Sequence, residues 1–239
     1  MNNSGQSGLD NTTRLLEKHE IQEIYDLVLK NNTYEYQMRY RKIITEIEKW
    51  NWIDSEVPRV IAVQEFERYV KKYNIKPKKM LGFSAAHDAE LKFLEPEEFF
   101  NFNYDDDNDK YDLHKLDIPK NDYDFVMLNQ VLEHLYNPVL CVQNVYNQLV
   151  KGAYFYCNVP TLNLIHGYPE NFITGFTPVG LGCLLKQAGF EILEIGQWGN
   201  LEYIESVFFK NNWPFLSNSP IPTHNIFERP CQCWILARK

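Results

Sequence analysis

The groups in this chain best suited to proton transfer are a few histidines and carboxylates. Glu133 and His134 adjoin each other, His166 opens the run His166-Gly167-Tyr168-Pro169, and His87 lies in Ser84-Ala85-Ala86-His87-Asp88. An imidazole titrates at about 6.5 when unperturbed, so it can take a proton from an attacking hydroxyl or amine at neutral pH. A histidine that follows a glutamate serves equally well as a structural hydrogen-bonder, so His166 is the stronger candidate base, ahead of His134 and Glu133. A second set of acids, Asp105-Asp106-Asp107, follows an apolar run. Asp106 and Asp107 read as a solvated turn, whereas Asp105 stands nearest the strand. The five cysteines form no C-x-x-C pair, and Cys231 and Cys233 are expected on one face of a strand. Buried reduced thiols in a cytoplasmic protein, with no metal site, is the expectation they support.

Elements that could position these groups are legible from periodicity. Leu16, Ile24, Leu27 and Val28 recur at helical spacing, as do Met38, Ile43, Ile44 and Ile47, with Asn31-Asn32-Thr33 between the two sets. Val57 to Tyr73 reads as a third helix. From Lys79 onward, short apolar runs alternate with helical stretches, the pattern of a parallel sheet with crossovers. Expected strands are Met80 to Phe83, Phe99 to Tyr104, Tyr123 to Leu128, Ala153 to Val159, Phe190 to Ile195 and Cys231 to Ala237. The last has no room for a following helix, which predicts an antiparallel strand at or near an edge. Asn137-Pro138 and Thr177-Pro178 each pair a capping side chain with proline at the first helical position, and Gly152 and Gly189 are the expected helix stops. Trp50, Trp52, Trp213 and Trp234 are read as core, and Trp198 and Tyr203 as core or as a surface that stacks on a sugar ring.

Composition narrows the function classes. Hydrophobic residues make up 44% of the chain and charged residues 23%, a packed globule rather than a disordered chain. The net charge of −8 repels nucleic acid, and Lys76, Lys78 and Lys79 read as a solvated strand entrance rather than a phosphate track. No run suits a leader or a membrane span. The expected organisation is a disordered tail over residues 1–13, a helical extension over residues 14–75, and one α/β domain over residues 76–239.

The stretch Tyr123-Asp124, Val131-Leu132-Glu133-His134, Leu149-Val150-Lys151-Gly152 and Val159-Pro160, in that order, resembles the class I methyltransferase family. In that family an FD-x-V strand, a VLEH segment, a helix ending in LKPGG and a strand ending in VP follow one another. His166-Gly167-Tyr168-Pro169, Phe176-Thr177-Pro178-Val179-Gly180-Leu181 and Ala188-Gly189-Phe190-Glu191 extend the likeness, which covers roughly Lys76 to Lys239. Val150 and Ala153 depart from the usual proline and second glycine. The resemblance implies a Rossmann-like fold with a mostly parallel seven-stranded sheet and an antiparallel C-terminal strand. It also implies S-adenosylmethionine as cofactor, adenosylhomocysteine as product, and no metal.

Carried over position by position, the family's cofactor contacts fall on Gly82, Phe83, Ser84 and Ala86 in the first turn and on Asp105 for the ribose. Asp112 and Leu113 would hold the adenine, with Asp117-Ile118 as the competing register. Asn129 and Gln130 either line the cleft or cap Glu133 and the helix beyond. His134 and His166 fall on loops over the cleft, and His87 could replace a missing cofactor contact. The first turn keeps one glycine where the family has several, and a serine or alanine forced to positive φ there would cost about 1 kcal/mol. The residues leave two readings open. One is a methyltransferase acting on a hydroxyl or amine of a small acceptor such as a sugar or surface-glycan precursor, with homo-oligomers allowed. The other is a binding or assembly protein that has lost the cofactor. A nicotinamide dehydrogenase fares worse, because the turn lacks G-x-G-x-x-G.

Overall fold

The computed structural model describes residues 14–45, 56–85, 88–103, 111–118, 122–167, 169–215 and 224–239. The expected tail, Trp50, Trp52, Ala86, His87, Asp105 to Asp107 and Tyr168 lie outside those residues. In chain order the elements are α1 (Lys18–Lys30), α2 (Tyr34–Thr45), α3 (Val57–Tyr73), β1 (Lys79–Phe83), β2 (Glu98–Phe102), β3 (Tyr123–Asn129) and α4 (Pro138–Gln148). They continue with β4 (Leu149–Pro160), α5 (Pro178–Gln187), β5 (Glu191–Trp198), α6 (Leu201–Lys210) and β6 (Gln232–Arg238).

The strands form one sheet in the order β2-β1-β3-β4-β6-β5. β1, β2, β3 and β4 pair in parallel, and β6 runs antiparallel to both neighbours. The α/β class and the antiparallel C-terminal strand are as the sequence implied. One expectation is corrected: the described sheet has six strands rather than seven. β6 lies near the edge, as expected, one place in from it: it inserts between β4 and β5, and its residues Cys233 to Ala237 are apolar on both faces and buried on both.

Apolar faces of the helices explain the layering. Ile24 and Val28 of α1 join α4 and α5 on one side of the sheet, against Val126, Phe155 and Ile235. Tyr40 of α2, Ile61 and Phe66 of α3 and Val207 of α6 cover the other side, against Phe125, Tyr156 and Trp234. The N-terminal helices therefore divide between the two faces of the sheet. Arg39 of α2 donates to Glu65 of α3 at 2.8 Å, and Arg68 reaches the same carboxylate at 3.0 Å. Gly182 lets α1 sit close on α5, since a Cβ there would lie 2.5 Å from Ile24 Cγ2. Cys231 and Cys233 do not share a face as expected. Cys231 precedes the strand and packs beside Trp234, whereas Cys233 packs on the opposite side with Ile235.

Local signals mostly behave as their chemistry dictates. Asn137 Oδ1 accepts from Leu140 N at 3.2 Å and Thr177 Oγ1 from Gly180 N at 3.0 Å, so both predicted caps are made. Gly152, expected to stop α4, instead lies within β4 at φ +85°. The helix ends earlier because Leu149 already pairs with Tyr123, and the irregular register beyond that pair needs a residue tolerant of positive φ. α6, which apolar spacing did not reveal, starts at Asn200, whose side chain accepts from Tyr203 N at 2.9 Å. Trp198, Tyr203 and Trp234 are buried and Trp213 packs against the core, as expected.

The turn after β1 shapes the carboxyl end of the sheet. Gly82 is needed for close packing, because a Cβ would stand 2.9 Å from the Phe99 ring. Ser84 takes φ +53°, the left-handed region that disfavours a side chain. Its backbone N–H donates to Phe102 O at 3.0 Å, and Ala85 N donates to Asn101 Oδ1 at 2.7 Å, so β2 holds the turn in this conformation.

Two outcomes are expected. Ser84→Gly relieves the strain and raises stability by about 1 kcal/mol; a lowered urea midpoint would show that the serine side chain stabilises the turn. Gly182→Val forces α1 off α5 and lowers stability by about 1–3 kcal/mol in the same denaturation experiment.

Candidate functional site

In a parallel sheet, chain connections leave in opposite directions where the strand order reverses, and a crevice opens beyond the carboxyl ends of the strands there. Here β1 connects outward to β2 while β3 lies on its other side, so the crevice falls past Phe83 and Asn129. A cavity of about 530 Å³ occupies that place. Phe83 and Ser84 from the first turn, Asp112 and Leu113, Gln130 after β3, and His134 all line it, six of the twelve predicted positions, whereas Glu133 and His166 are not among its lining residues. The cavity's size and mixed lining suit a small-molecule ligand.

Asp112 and Leu113 follow β2 in sequence and reach the cleft through a tight turn. Asp112 Oδ1 accepts from His114 N at 2.9 Å and pairs with His114 Nδ1 at 2.6 Å. Both contacts use the same oxygen, which leaves Oδ2 available to a ligand. Of the two registers, Asp112-Leu113 lines the cavity and Asp117-Ile118 does not. His114 stacks on Tyr136 with ring centroids 3.7 Å apart, and Phe102 stacks on Tyr111 at 4.6 Å. Apolar walls from Phe83, Leu113, Val131 and Leu135, with an acid at one side, fit a purine nucleoside.

Gln130 leaves β3 at φ +54°, a second strained non-glycine residue on the rim of the same cleft. Its Nε2 donates to Asn158 Oδ1 at 2.6 Å, and Gln232 Nε2 donates to that oxygen at 2.6 Å. Asn158 Nδ2 donates to Glu90 at 3.2 Å, and Arg59 of α3 binds Glu90 at 2.6 Å. Asn129 Nδ2 donates to Asp88 at 2.8 Å while its Oδ1 is buried without a partner. Asn129 therefore sits behind the cleft rather than on it, and caps neither Glu133 nor the next helix. Gly82 packs against Phe99 and Ala85 and is not among the lining residues.

Beyond Gln130, a single 3-10 turn over Leu132–His134 carries the VLEH acid and histidine. The loop after β4 folds back on this turn: Phe172 N and Ile173 N both donate to Glu133 O, at 3.2 and 3.1 Å. That contact brings His166 beside His134, with ring centroids 5.0 Å apart at a near-perpendicular angle. The Glu133 side chain is fully buried, and among the described residues neither of its oxygens has a hydrogen-bond partner. Burial pushes its carboxyl up to about 7, with its own backbone amide opposing the shift. His134 Nδ1 lies 2.7 Å from Glu170 O and His166 Nδ1 lies 2.9 Å from Leu164 O. A carbonyl oxygen only accepts, so each Nδ1 carries a proton, and in the neutral ring the lone pair is on Nε2.

Sequence reasoning missed His114, Tyr136, Phe102, Tyr111 and Phe172 as lining, and the Arg59–Glu90 pair behind the cleft. His114 could have been found from its spacing two residues after Asp112. The aromatic residues gave no periodic signal, and Arg59 meets Glu90 only through the tertiary packing of α3.

A sequence profile of the methyltransferase domain matches residues 53–195, more than half of the chain. Among solved structures, a SAM-dependent methyltransferase from Archaeoglobus fulgidus aligns at 16% identity and TM-score 0.43, over 76% of this chain and 94% of that one. SAM-dependent methyltransferases from Methanosarcina mazei align at 13% identity and TM-score 0.41, over 72% and 96%. No curated protein matches the chain in sequence. With the cleft, the switch point and the profile in agreement, the chain belongs to the methyltransferase-domain family and carries an S-adenosylmethionine-dependent methyltransferase domain.

Proposed function

We propose that the protein transfers a methyl group to a hydroxyl, or an amine, of a small acceptor such as a sugar or surface-glycan precursor. The observation that carries this reading is the juxtaposition of Glu133, His134 and His166, of which His134 lines the cleft. Bound adenosylmethionine supplies an activated methyl on its sulfonium. The chain's own residues then have two tasks, to hold the nucleoside and to present a deprotonated acceptor.

For the first task, Asp112 and Leu113 bind the adenine edge, Phe83 and Val131 flank it, and the backbone of Ser84 and the side chain of Gln130 meet the amino-acid end. Asp105 is the proposed ribose contact and Ala86 an apolar contact in the turn. For the second, the imidazole lone pairs of His166 and His134 can draw off the acceptor proton, with the buried Glu133 beneath them. Tyr136 and Phe172, both exposed and in edge-to-face contact at 5.9 Å, give the entrance an aromatic rim of the kind that stacks on sugar faces.

The acidic net charge argues against a nucleic-acid acceptor. The five free cysteines, four of them buried, favour a reducing cytoplasmic setting, and no described helix is long and apolar enough to cross a membrane. The division into an extension over residues 14–75 and a catalytic domain over residues 76–239 is part of the same reading. A second reading, a cofactor-free assembly protein, draws support from the strained Ser84 in a turn with a single glycine.

The experiment pairs ligand binding with turnover. Adenosylhomocysteine should raise the melting midpoint of the wild type and of His166→Ala alike, because a ligand bound only by the folded state stabilises it. His166→Ala should lower kcat by about 100-fold or more, since general-base assistance is worth that much. Absence of any midpoint shift with millimolar ligand would favour the assembly reading.

A further inference from the structure

We infer that Glu133, His134 and His166 form a binding site for one divalent transition-metal cation at the acceptor end of the cleft. The inference rests on the reading of these residues as the acceptor end and departs from the metal-free site that the sequence implied.

One ligand atom from each of the three residues can be chosen so that all lie within 4.8 Å of one another. Around a cation with bonds of about 2.1 Å, neighbouring ligands stand about 3 to 3.5 Å apart, so modest side-chain rotation closes the set. The backbone already holds the two loops together, through Phe172 N and Ile173 N on Glu133 O. The cluster is thus assembled before any ion arrives.

The carboxylate supplies a second, independent reason. Glu133 is fully buried, is close to both imidazoles, and among the described residues has no hydrogen bond to either oxygen. A buried carboxylate in that condition is costly, and a cation is the partner that offsets the cost best.

The histidines supply a third. Each ring is pinned by an Nδ1–H donated to a backbone carbonyl, Glu170 O for His134 and Leu164 O for His166. Metal-ligating histidines are characteristically held this way, which fixes the tautomer and directs the Nε2 lone pair. Two imidazoles and one carboxylate suit zinc, cobalt or iron(II) in preference to magnesium or calcium, and such a set leaves coordination positions open. Of the three residues His134 lines the cleft, so an ion held by them would border the space where an acceptor hydroxyl would enter. A hydroxyl on a Lewis acid loses its proton more readily, which is the chemistry such an ion would supply there.

The test titrates metal-depleted full-length protein with cobalt(II) and reads the visible d–d absorption. One equivalent should bind, with affinity weakened at least about tenfold in His166→Ala and in Glu133→Gln and unchanged in His19→Ala, a surface histidine on α1. His166 is exposed, so its replacement leaves the fold intact even where the Glu133 variant misfolds. A titration without a cobalt band, or one with the same affinity in His166→Ala, overturns the inference. Adenosylhomocysteine binding to the metal-free protein, measured in parallel, separates the two readings. Nucleoside binding without cobalt binding removes the metal site alone, and cobalt binding without nucleoside binding keeps the metal site while removing the methyltransferase reading.

Discussion

Two residues leave their strands in a left-handed backbone conformation, and the cleft depends on both. Ser84 at the end of β1 and Gln130 at the end of β3 each adopt positive φ without being glycine. Such conformations cost about 1 kcal/mol or more each and persist only where neighbours over-determine them. Here the neighbours are specific. Phe102 O and Asn101 Oδ1 hold the first turn, while Asn158 holds Gln130 through both its backbone and its side-chain oxygen. The strain bends both chains away from the strand axes at the point where the order reverses, and the space so opened is the cavity.

Behind that space a polar layer ties the N-terminal helices to the sheet. Arg59 of α3 reaches Glu90 and Asp88, Glu90 meets Asn158, and Asn158 meets Gln130 and Gln232. Buried ionic networks contribute little net stability, but removing one member is expensive, so they act to fix geometry. α3 is therefore part of the wall that backs the cleft. On the other side, the loop that carries His166 is tied to the VLEH turn by two backbone hydrogen bonds, which place an exposed imidazole next to a buried carboxylate.

Much of this was legible in the sequence, and the reasons are local. The helix over Val57 to Tyr73 and the caps at Asn137 and Thr177 follow from apolar spacing and from side chains that bond their own backbone. Asp112, Leu113, Gln130 and His134 were named because a run of motifs fixed their order relative to strands, and all four line the cavity. What could not be read is non-local. The sequence cannot show that Gly152 serves a sheet irregularity rather than a helix end, because that depends on Leu149 pairing with Tyr123. Nor does it show β6 inserting between β4 and β5, or Asn129 turning toward Asp88, since each is decided by which element arrives alongside. The histidine pair was named residue by residue, yet its contact arises from a loop closure with no sequence signature.

The central claim is that a turn poor in glycine still shapes a nucleoside cleft between β1 and β3. A crystal of the protein grown with adenosylhomocysteine tests it most directly. Density for the nucleoside is expected along Phe83, Leu113 and Val131, with the adenine edge on Asp112 and the sulfur toward His134 and His166. An empty cleft at saturating ligand, or a nucleoside seated elsewhere on the molecule, would contradict it.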